Sequence, residues 1–106
     1  MHMSYNLSWH DIRTYLKDQF PDIESKIMEE KYQSESFGNG YIIYGIGQKL
    51  ICLNFDRHDE QIFLLESVDK NFNFRSSVLL ETFCLWEYPN KIIALDNVRQ
   101  SLKKFV

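Results

Sequence analysis

One stretch of the chain decides the fold: YIIYGIGQKLICLNF, residues 41–55. β-Branched and aromatic residues dominate both halves of this stretch, and such residues favour strands. Gly45 and Gly47 stand between the two halves, and glycine readily adopts the positive φ that a tight hairpin turn requires. The stretch therefore predicts a β-hairpin. Because apolar residues occupy both faces of each half, we expect central strands that are covered on both sides.

Further strands are expected after this hairpin. The polar residues 56–61 indicate a turn, and the apolar residues 62–66 predict a third strand. Polarity alternates over residues 71–75, which favours an edge strand with Phe72 and Phe74 on the same side.

The next segment, residues 76–87, fits two structures. It is either a helix capped by a serine or a strand over residues 82–87. We favour the strand, because Pro89 and Asn90 suit the middle of a type I turn that would lead into another strand at residues 92–95.

Three segments have the pattern of helices. Ser8 and Asp11 form a capping-box pattern before apolar residues spaced by three and four positions, and Pro21 ends this first helix. A second, mostly charged helix is expected to begin near Ile23. The last helix is expected to begin after Asp96 or the asparagine that follows it.

The order of these elements predicts an α+β fold. Strands that lie between terminal helices indicate a mostly antiparallel sheet of four to five strands, with two N-terminal helices and one C-terminal helix packed on it. The length of 106 residues is that of a single domain, which we expect to span residues 1–106. Residues 1–6 are expected to be a disordered tail or a remnant of cloning.

Composition and charge exclude several classes of protein. Hydrophobic residues make up 44% of the chain and the formal net charge is −3, which is unlike a disordered protein. A run of about 18 apolar residues, which a membrane span needs, is missing from the sequence. The first residues lack the basic start and apolar run of a secretory signal, so we expect a cytoplasmic protein.

The two cysteines do not suggest a metal site or a cofactor. Cys52 and Cys84 both lie in apolar stretches and neither belongs to a C-x-x-C pair. We expect buried, reduced thiols that behave as small hydrophobic residues, while a disulfide between the two stays an open alternative. No metal and no cofactor is expected.

One polar turn could carry chemistry. Asp56, His58, Asp59 and Glu60 lie within five residues of one another, so their side chains could converge on a cation or hold His58 as a general base. This turn supports the hypothesis of a small hydrolase or metal-dependent enzyme. A solvated hairpin turn is the simpler interpretation, since catalysis would need a partner group that the sequence does not identify.

The aromatic content points instead to binding. Eight Phe, six Tyr and two Trp exceed what a core of this size readily hides, and aromatic residues anchor protein interfaces. Those near polar loops are Tyr32, Phe37, Tyr41, Phe72, Phe74 and Tyr88. We therefore favour a non-catalytic protein-interaction module, of the inhibitor or immunity type that occludes a partner. The partner is a protein of unknown identity, with no membrane partner expected and a homo-oligomer possible.

A further alternative is binding of single-stranded nucleic acid. Phe72 and Phe74 could stack on bases, with Arg75 and Lys70 beside them and basic residues in the last helix. Acidic residues outnumber basic ones over residues 1–69, and a chain of net negative charge makes a nucleic-acid partner unlikely.

Overall fold

Two α-helices and a five-stranded sheet make up residues 2–105, which are the residues that the computed structural model describes. In chain order the elements are helix α1 (Trp9–Gln19), a first 3-10 helix (Pro21–Lys26), strands β1 (Ile27–Gln33), β2 (Asn39–Ile46), β3 (Lys49–Asp56), β4 (Gln61–Ser67) and β5 (Val78–Cys84), a second 3-10 helix (Leu85–Glu87), and helix α2 (Lys91–Lys103).

The sheet is an antiparallel meander in the order β1-β2-β3-β4-β5. The predicted hairpin is its centre: Ile46 pairs with Lys49, and Gly47 in the turn has φ of 64°. The prediction of an α+β fold with a mostly antiparallel sheet is therefore confirmed.

Both helices pack on one face of this sheet. The hydrophobic core joins Ile12 and Leu16 of α1 and Val98 and Leu102 of α2 to the inward residues of β2, β3 and β4. Those inward residues are Ile42, Tyr44, Ile51, Leu53, Phe55, Ile62 and Leu64. Ile43 and Cys52 are also buried but lie outside this core cluster, because they point to the opposite face. The face away from the helices is called the open face below.

Helix α1 begins as the sequence predicts. The Ser8 hydroxyl accepts a hydrogen bond from the Asp11 backbone N–H, and the Asp11 carboxylate accepts one from the Ser8 N–H, both at 3.1 Å. The helix then brings Trp9 over Gly40 of β2, where the ring lies against the backbone. Near the middle of the helix, Arg13 is buried and donates hydrogen bonds to Glu24 at 2.8 and 3.1 Å and to Glu30 at 2.8 Å. This ion-pair cluster connects α1, the first 3-10 helix and β1.

The segment predicted as a second helix begins as a short 3-10 helix and then becomes a strand. The 3-10 helix Pro21–Lys26 is six residues long, and the chain continues as β1 (Ile27–Gln33) where we predicted helix. Charged residues with few apolar ones suit an exposed edge strand as well as a surface helix. Pairing with β2 decides between strand and helix, because hydrogen bonds to β2 satisfy the backbone N–H and C=O groups of β1.

Four predictions after β4 are corrected. Residues 71–75 form a loop and not an edge strand, and β5 begins later, at Val78. Residues 76–87 contain a strand, as favoured, but it spans Val78–Cys84 and a 3-10 turn follows it. The predicted strand at residues 92–95 is the first part of α2. Asn90 caps this helix by accepting a hydrogen bond from the Ile93 N–H at 2.9 Å, six or seven residues before the two caps that we expected.

The N-terminal residues lie against the rest of the chain. The Met3 N–H donates to a Glu60 carboxylate oxygen at 2.8 Å, and the Tyr5 hydroxyl donates to the Leu85 carbonyl at 2.5 Å. Leu7 is fully buried in the core. The expectation of a disordered tail over residues 1–6 stays a prediction, beside these contacts of Met3 and Tyr5. Residue 1 lies outside the described residues, and an origin of the first residues in cloning stays a prediction.

The two cysteines lie far apart in the sheet. Across the strands Cys52 is opposite Leu65, and Leu65 is opposite Leu79 of β5, five residues before Cys84. The five residues from Leu79 to Cys84 span about 16 Å along the strand. This is more than twice the distance between Cα atoms that a disulfide spans, so Cys52 and Cys84 lie too far apart to pair. Both thiols are free, and Cys52 is buried while Cys84 is partly exposed.

Among residues 2–105, no helix has the length and apolar character needed to cross a membrane.

Candidate functional site

An apolar row crosses the open face. The strand register places Ile43, Cys52, Leu65 and Leu79 side by side on β2, β3, β4 and β5. Residues paired in antiparallel strands point to the same face, so these four side chains are cross-strand neighbours. Ile43 and Cys52 are buried, Leu65 is half-buried, and Leu79 at the sheet edge is 55% exposed. The row therefore becomes more exposed toward β5.

Three of the predicted aromatic residues meet on this face. The rings of Phe72 and Phe74 lie edge to face with centroids 4.7 Å apart, and the ring of Tyr41 meets Phe74 with centroids 6.0 Å apart. Tyr41 belongs to β2, whereas the two phenylalanines belong to the loop between β4 and β5. We call these three residues the aromatic cluster. Phe74 is 50% exposed, so the cluster presents a ring to solvent.

The loop that carries the phenylalanines is held by its own hydrogen bonds. The buried Ser67 hydroxyl accepts from the backbone N–H groups of Asp69 and Asn73, both at 3.4 Å. Ser76 donates to the Asp69 carboxylate at 2.8 Å, and Asn73 accepts from the Arg75 N–H at 3.0 Å. These contacts fold the loop back onto the sheet and position the two rings without a regular strand.

A groove of about 330 Å³ lies between this loop and β1–β3. Its apolar walls come from Ile43, Leu50, Met28 and the two phenylalanines, and Met28 is 70% exposed. Met28 and Leu79 were not among the binding candidates predicted from the sequence. The signal for Leu79 was present in the apolar residues 78–80, which we considered only as part of an ambiguous helix or strand.

The charges around the aromatic cluster are mixed. Glu29 accepts a hydrogen bond from the Tyr41 hydroxyl, and this bond, with burial adding to it, raises the pKa of Tyr41 to about 12. The Tyr41 ring is thus held in its neutral form at physiological pH. Within residues 2–105, Lys70 and Arg75 have no carboxylate within 4.0 Å. The border therefore offers one acid and two unpaired bases.

A second concave region lies at one end of the sheet. It is an open cleft of about 700 Å³ between the N-terminal segment and the turns that follow β1 and β3. Phe37 stacks on His58 with ring centroids 4.6 Å apart and an interplanar angle of 18°. Tyr32, Arg57 and Glu60 also line the cleft. The cleft therefore joins two predicted aromatic candidates to two members of the predicted polar turn.

The four residues of the polar turn do not converge on one point. Asp56 accepts the Asp59 N–H at 3.1 Å and so caps the turn. Glu60 has a left-handed backbone, with φ of 55°, and its carboxylate accepts from the Met3 N–H. His58 is exposed and stacks on Phe37. The described part of the chain contains no group of three or more His, Cys, Asp and Glu side chains placed to hold a metal ion.

The remaining aromatic candidate, Tyr88, is half-buried and packs against the core cluster. Burial is the main cause that raises its pKa, with the charge of Glu87 adding to it. Tyr88 therefore lies apart from both the aromatic cluster and the open cleft.

Comparisons of this chain with protein-family models, with curated proteins and with solved structures find no match.

Proposed function

We propose that this chain is a protein-interaction module that binds its partner through the aromatic cluster on the open face. The observation that carries the proposal is the half-exposed ring of Phe74, packed on Phe72 and Tyr41 beside an apolar groove. Aromatic residues held in place by neighbours are the usual anchors of protein interfaces, because little side-chain entropy is lost when they are covered.

The apolar surroundings support the same surface. Met28 and Leu79 are exposed on or beside this face, and water must order around them until another surface covers them. The two helices cover the other face, whereas on this one the loop of residues 68–77 folds over part of the sheet and borders the groove. A partner that inserts an apolar side chain into the groove would bury Met28, which lines it.

A partner of the kind that an inhibitor or immunity protein occludes is part of this proposal. The acidic excess of the chain, a net charge of −3, would draw such a partner by its basic surface. Lys70 and Arg75 would then select its orientation, because like charges must avoid each other across an interface. We also propose a cytoplasmic location, for which the two free thiols are the support.

Single-stranded nucleic acid is the alternative occupant of the aromatic cluster. Lys70 and Arg75 are suited to phosphate groups, but the lysines of α2 cannot join them. Helix α2 packs on the opposite face of the sheet, so the basic residues of the chain are divided between two surfaces. Since phosphate binding needs several cations together, the structure favours a protein partner.

The enzyme hypothesis has less support from the geometry. His58 is exposed on a turn, and its described contact is the stacked ring of Phe37, so no carboxylate orients it as a general base. A His58→Ala variant is therefore expected to bind the same partner as the wild-type chain. Loss of function in this variant would instead favour the enzyme hypothesis.

Photo-crosslinking in the native cells tests the proposed function. A photo-reactive amino acid is placed at position 74 in the aromatic cluster, at position 28 beside the groove, and at position 92 on α2 as the control. Ile92 is as exposed as Phe74 but lies on the helical layer. We expect one protein to be crosslinked from positions 74 and 28, and not from position 92.

The competing outcomes are distinct. Equal crosslinking from all three positions, or none from position 74, would refute the aromatic cluster as the binding surface. Crosslinks to nucleic acid from position 74 would establish the alternative. The same partner must also be lost from a Phe74→Ala variant and retained by an Ile92→Ala variant.

A further inference from the structure

The open cleft at the end of the sheet shares no lining residue with the aromatic cluster. Its volume of about 700 Å³ is within the range of small-molecule sites, which combine aromatic walls with a few polar groups. The rings of Tyr32 and Phe37 are both more than half exposed and supply such walls, and Arg57 supplies a positive charge. The cleft therefore has the composition of a ligand site.

The Arg57 side chain is held over Gly38. Its backbone N–H donates to the Asn39 side chain at 2.8 Å, and its Cδ and Nη1 atoms lie 3.3 and 3.6 Å from the point where a β-carbon on Gly38 would be. The ion pairs formed within residues 2–105 do not include Arg57. A positioned guanidinium that no carboxylate neutralises is suited to the phosphate or carboxylate of a ligand, to which it can donate two parallel hydrogen bonds.

The Tyr32 hydroxyl is a second donor at the same place. It lies 3.5 Å from the same point above Gly38, although Tyr32 belongs to β1 and Arg57 to the turn after β3. Gly38 has φ of 79°, which favours glycine, and its lack of a side chain leaves room beside both donors. An anion at this point of the cleft could therefore accept hydrogen bonds from two side chains.

Phe37 has an unfavourable backbone conformation in the wall of the cleft. Its φ is 61°, in the left-handed region that glycine enters without steric cost. Core packing does not offset this cost, because the side chain is 67% exposed and its described ring contact is the stacked His58. Residues held in this region concentrate at functional sites. A ligand that stacks on the ring explains the presence of phenylalanine here, whereas the needs of folding do not.

The one carboxylate that lines the described part of the cleft is already engaged. Glu60 accepts the Met3 N–H at 2.8 Å through Oε2, and its Oε1 lies 3.4 Å from His2 Nδ1. Both oxygens are thus directed to the N-terminal segment, which forms part of the cleft wall. This contact leaves Arg57 as the charge that faces a ligand.

We propose that the open cleft binds a small aromatic anion of about the size of a mononucleotide. Its phosphate or carboxylate contacts Arg57 and Tyr32, and its ring stacks on Phe37. A ring without a charge would leave the guanidinium unpaired, and an anion without a ring would leave Phe37 uncovered. This inference goes beyond the aromatic cluster and does not depend on its proposed function.

Isothermal titration calorimetry provides the first test. The probes are adenosine monophosphate and indole-3-acetate, each compared with its ring alone (adenosine or indole) and with its anion alone (inorganic phosphate or acetate). We expect at least one of the two complete probes to bind with a Kd of about 1 mM or below, and its separate parts to bind roughly tenfold more weakly. Tighter binding of adenosine monophosphate identifies phosphate as the preferred anion, and tighter binding of indole-3-acetate identifies carboxylate.

Variants and NMR place the site. The bound probe should shift the amide signals of Phe37, Gly38 and Arg57. Arg57→Gln should weaken binding roughly tenfold, whereas Lys17→Gln, which removes an exposed positive charge from α1 outside the cleft, should leave the affinity unchanged.

A second variant separates binding from folding. Phe37→Gly relieves the left-handed backbone, so it should bind the probe roughly tenfold more weakly while its Tm does not fall. A purely structural role of Phe37 predicts the reverse, a lower Tm with unchanged affinity.

Three results would overturn the proposal. The first is that neither complete probe binds more tightly than its separate parts. The second is that the amide shifts lie at residues 72–74 and not in the cleft, and the third is that Arg57→Gln and Lys17→Gln have the same effect. The aromatic-cluster proposal would survive each of these, since its crosslinks come from positions 74 and 28.

Discussion

The packing of Trp9 on Gly40 predicts that a larger residue at position 40 lowers the stability of the fold. A β-carbon added to Gly40 would lie 2.5, 2.7 and 2.8 Å from three atoms of the Trp9 ring. Carbon atoms in proteins pack at about 3.5–4.0 Å, so the ring or the strand would have to move by about 1 Å. Trp9 is buried at the start of α1, within the core cluster, and has little freedom to move.

The expected cost of Gly40→Ala follows from two opposing effects. Overpacking of a core costs about 1–3 kcal/mol, and replacing glycine by alanine recovers about 0.5–1 kcal/mol of chain entropy. We expect a net loss of about 1–2 kcal/mol in the free energy of unfolding, or a fall in Tm of roughly 5–15 °C.

Gly45→Ala is the matched control, because Gly45 lies in the same strand. Its β-carbon would meet the Met28 side chain at 3.1 Å, and Met28 is exposed and flexible enough to give way. We expect a change within about 0.5 kcal/mol of wild type.

Urea and thermal unfolding, followed by circular dichroism, measure both variants. The same measurements on Trp9→Leu and on the Trp9→Leu, Gly40→Ala double variant complete a double-mutant cycle. The smaller side chain should relieve most of the cost at Gly40. Equal stability of Gly40→Ala and Gly45→Ala, or a cost at Gly40 that Trp9→Leu leaves unchanged, would refute the reasoning.

Three further predictions concern single contacts. Burial acts to raise the pKa of Asp11, but its hydrogen bonds with Ser8 and the charge near it outweigh burial and lower it. Asp11 therefore adds stability above its ordinary pKa of 3.8, and this stability is lost as the pH falls through the lower folded value. Ser8→Ala should cost about 1 kcal/mol and raise the pKa of Asp11 in an NMR titration, and an unchanged pKa would count against the capping box. Burial raises the pKa of Cys52 to about 12, so a thiol reagent should modify Cys84 in the native protein well before Cys52, and equal rates would contradict the described burial. Replacing Arg13 by Met should cost about 2 kcal/mol in urea unfolding, because it leaves two carboxylates unpaired at the junction of α1 and β1; a neutral result would show that solvent screens this cluster.

The parts of the fold that the sequence predicted are those with local signals. The hairpin at residues 41–55 combines strand-forming residues with turn glycines, and α1 combines a capping box with apolar periodicity. Each signal lies within a few residues of the structure that it causes, so no tertiary information was needed.

The errors arose where local signals were ambiguous. Ile27–Gln33 has few apolar residues, and only its pairing with β2 makes it a strand. The apolar residues 92–95 have the composition of a strand, yet the Asn90 cap and the burial of Ala94 and Leu95 against the sheet make them helical. A contact distant in sequence outweighed the local preference in the first segment, and in the second the local cap at Asn90 acted together with burial against the sheet.

The aromatic residues of the candidate site, and the side-by-side placement of Phe72 and Phe74, were predicted, but the contact of these rings with Tyr41 was not. Tyr41, Phe72 and Phe74 were each selected as aromatic residues near polar loops. These three side chains meet on one face because residues 68–77 fold around Ser67. The hydrophobic pattern of the sequence does not predict this loop structure. Met28 and Leu79 became candidates only once their exposure was known.

By itself, the sequence determined an α+β domain whose central hairpin is apolar on both faces, because patterning and turn chemistry act over short distances. The tertiary structure alone decided that both helices cover the same face and that a loop covers part of the other. The same strand residues could have carried a helix on either side. The choice rests on how α1 and α2 bury their apolar faces together with the inward residues of the sheet, which is a property of the whole chain.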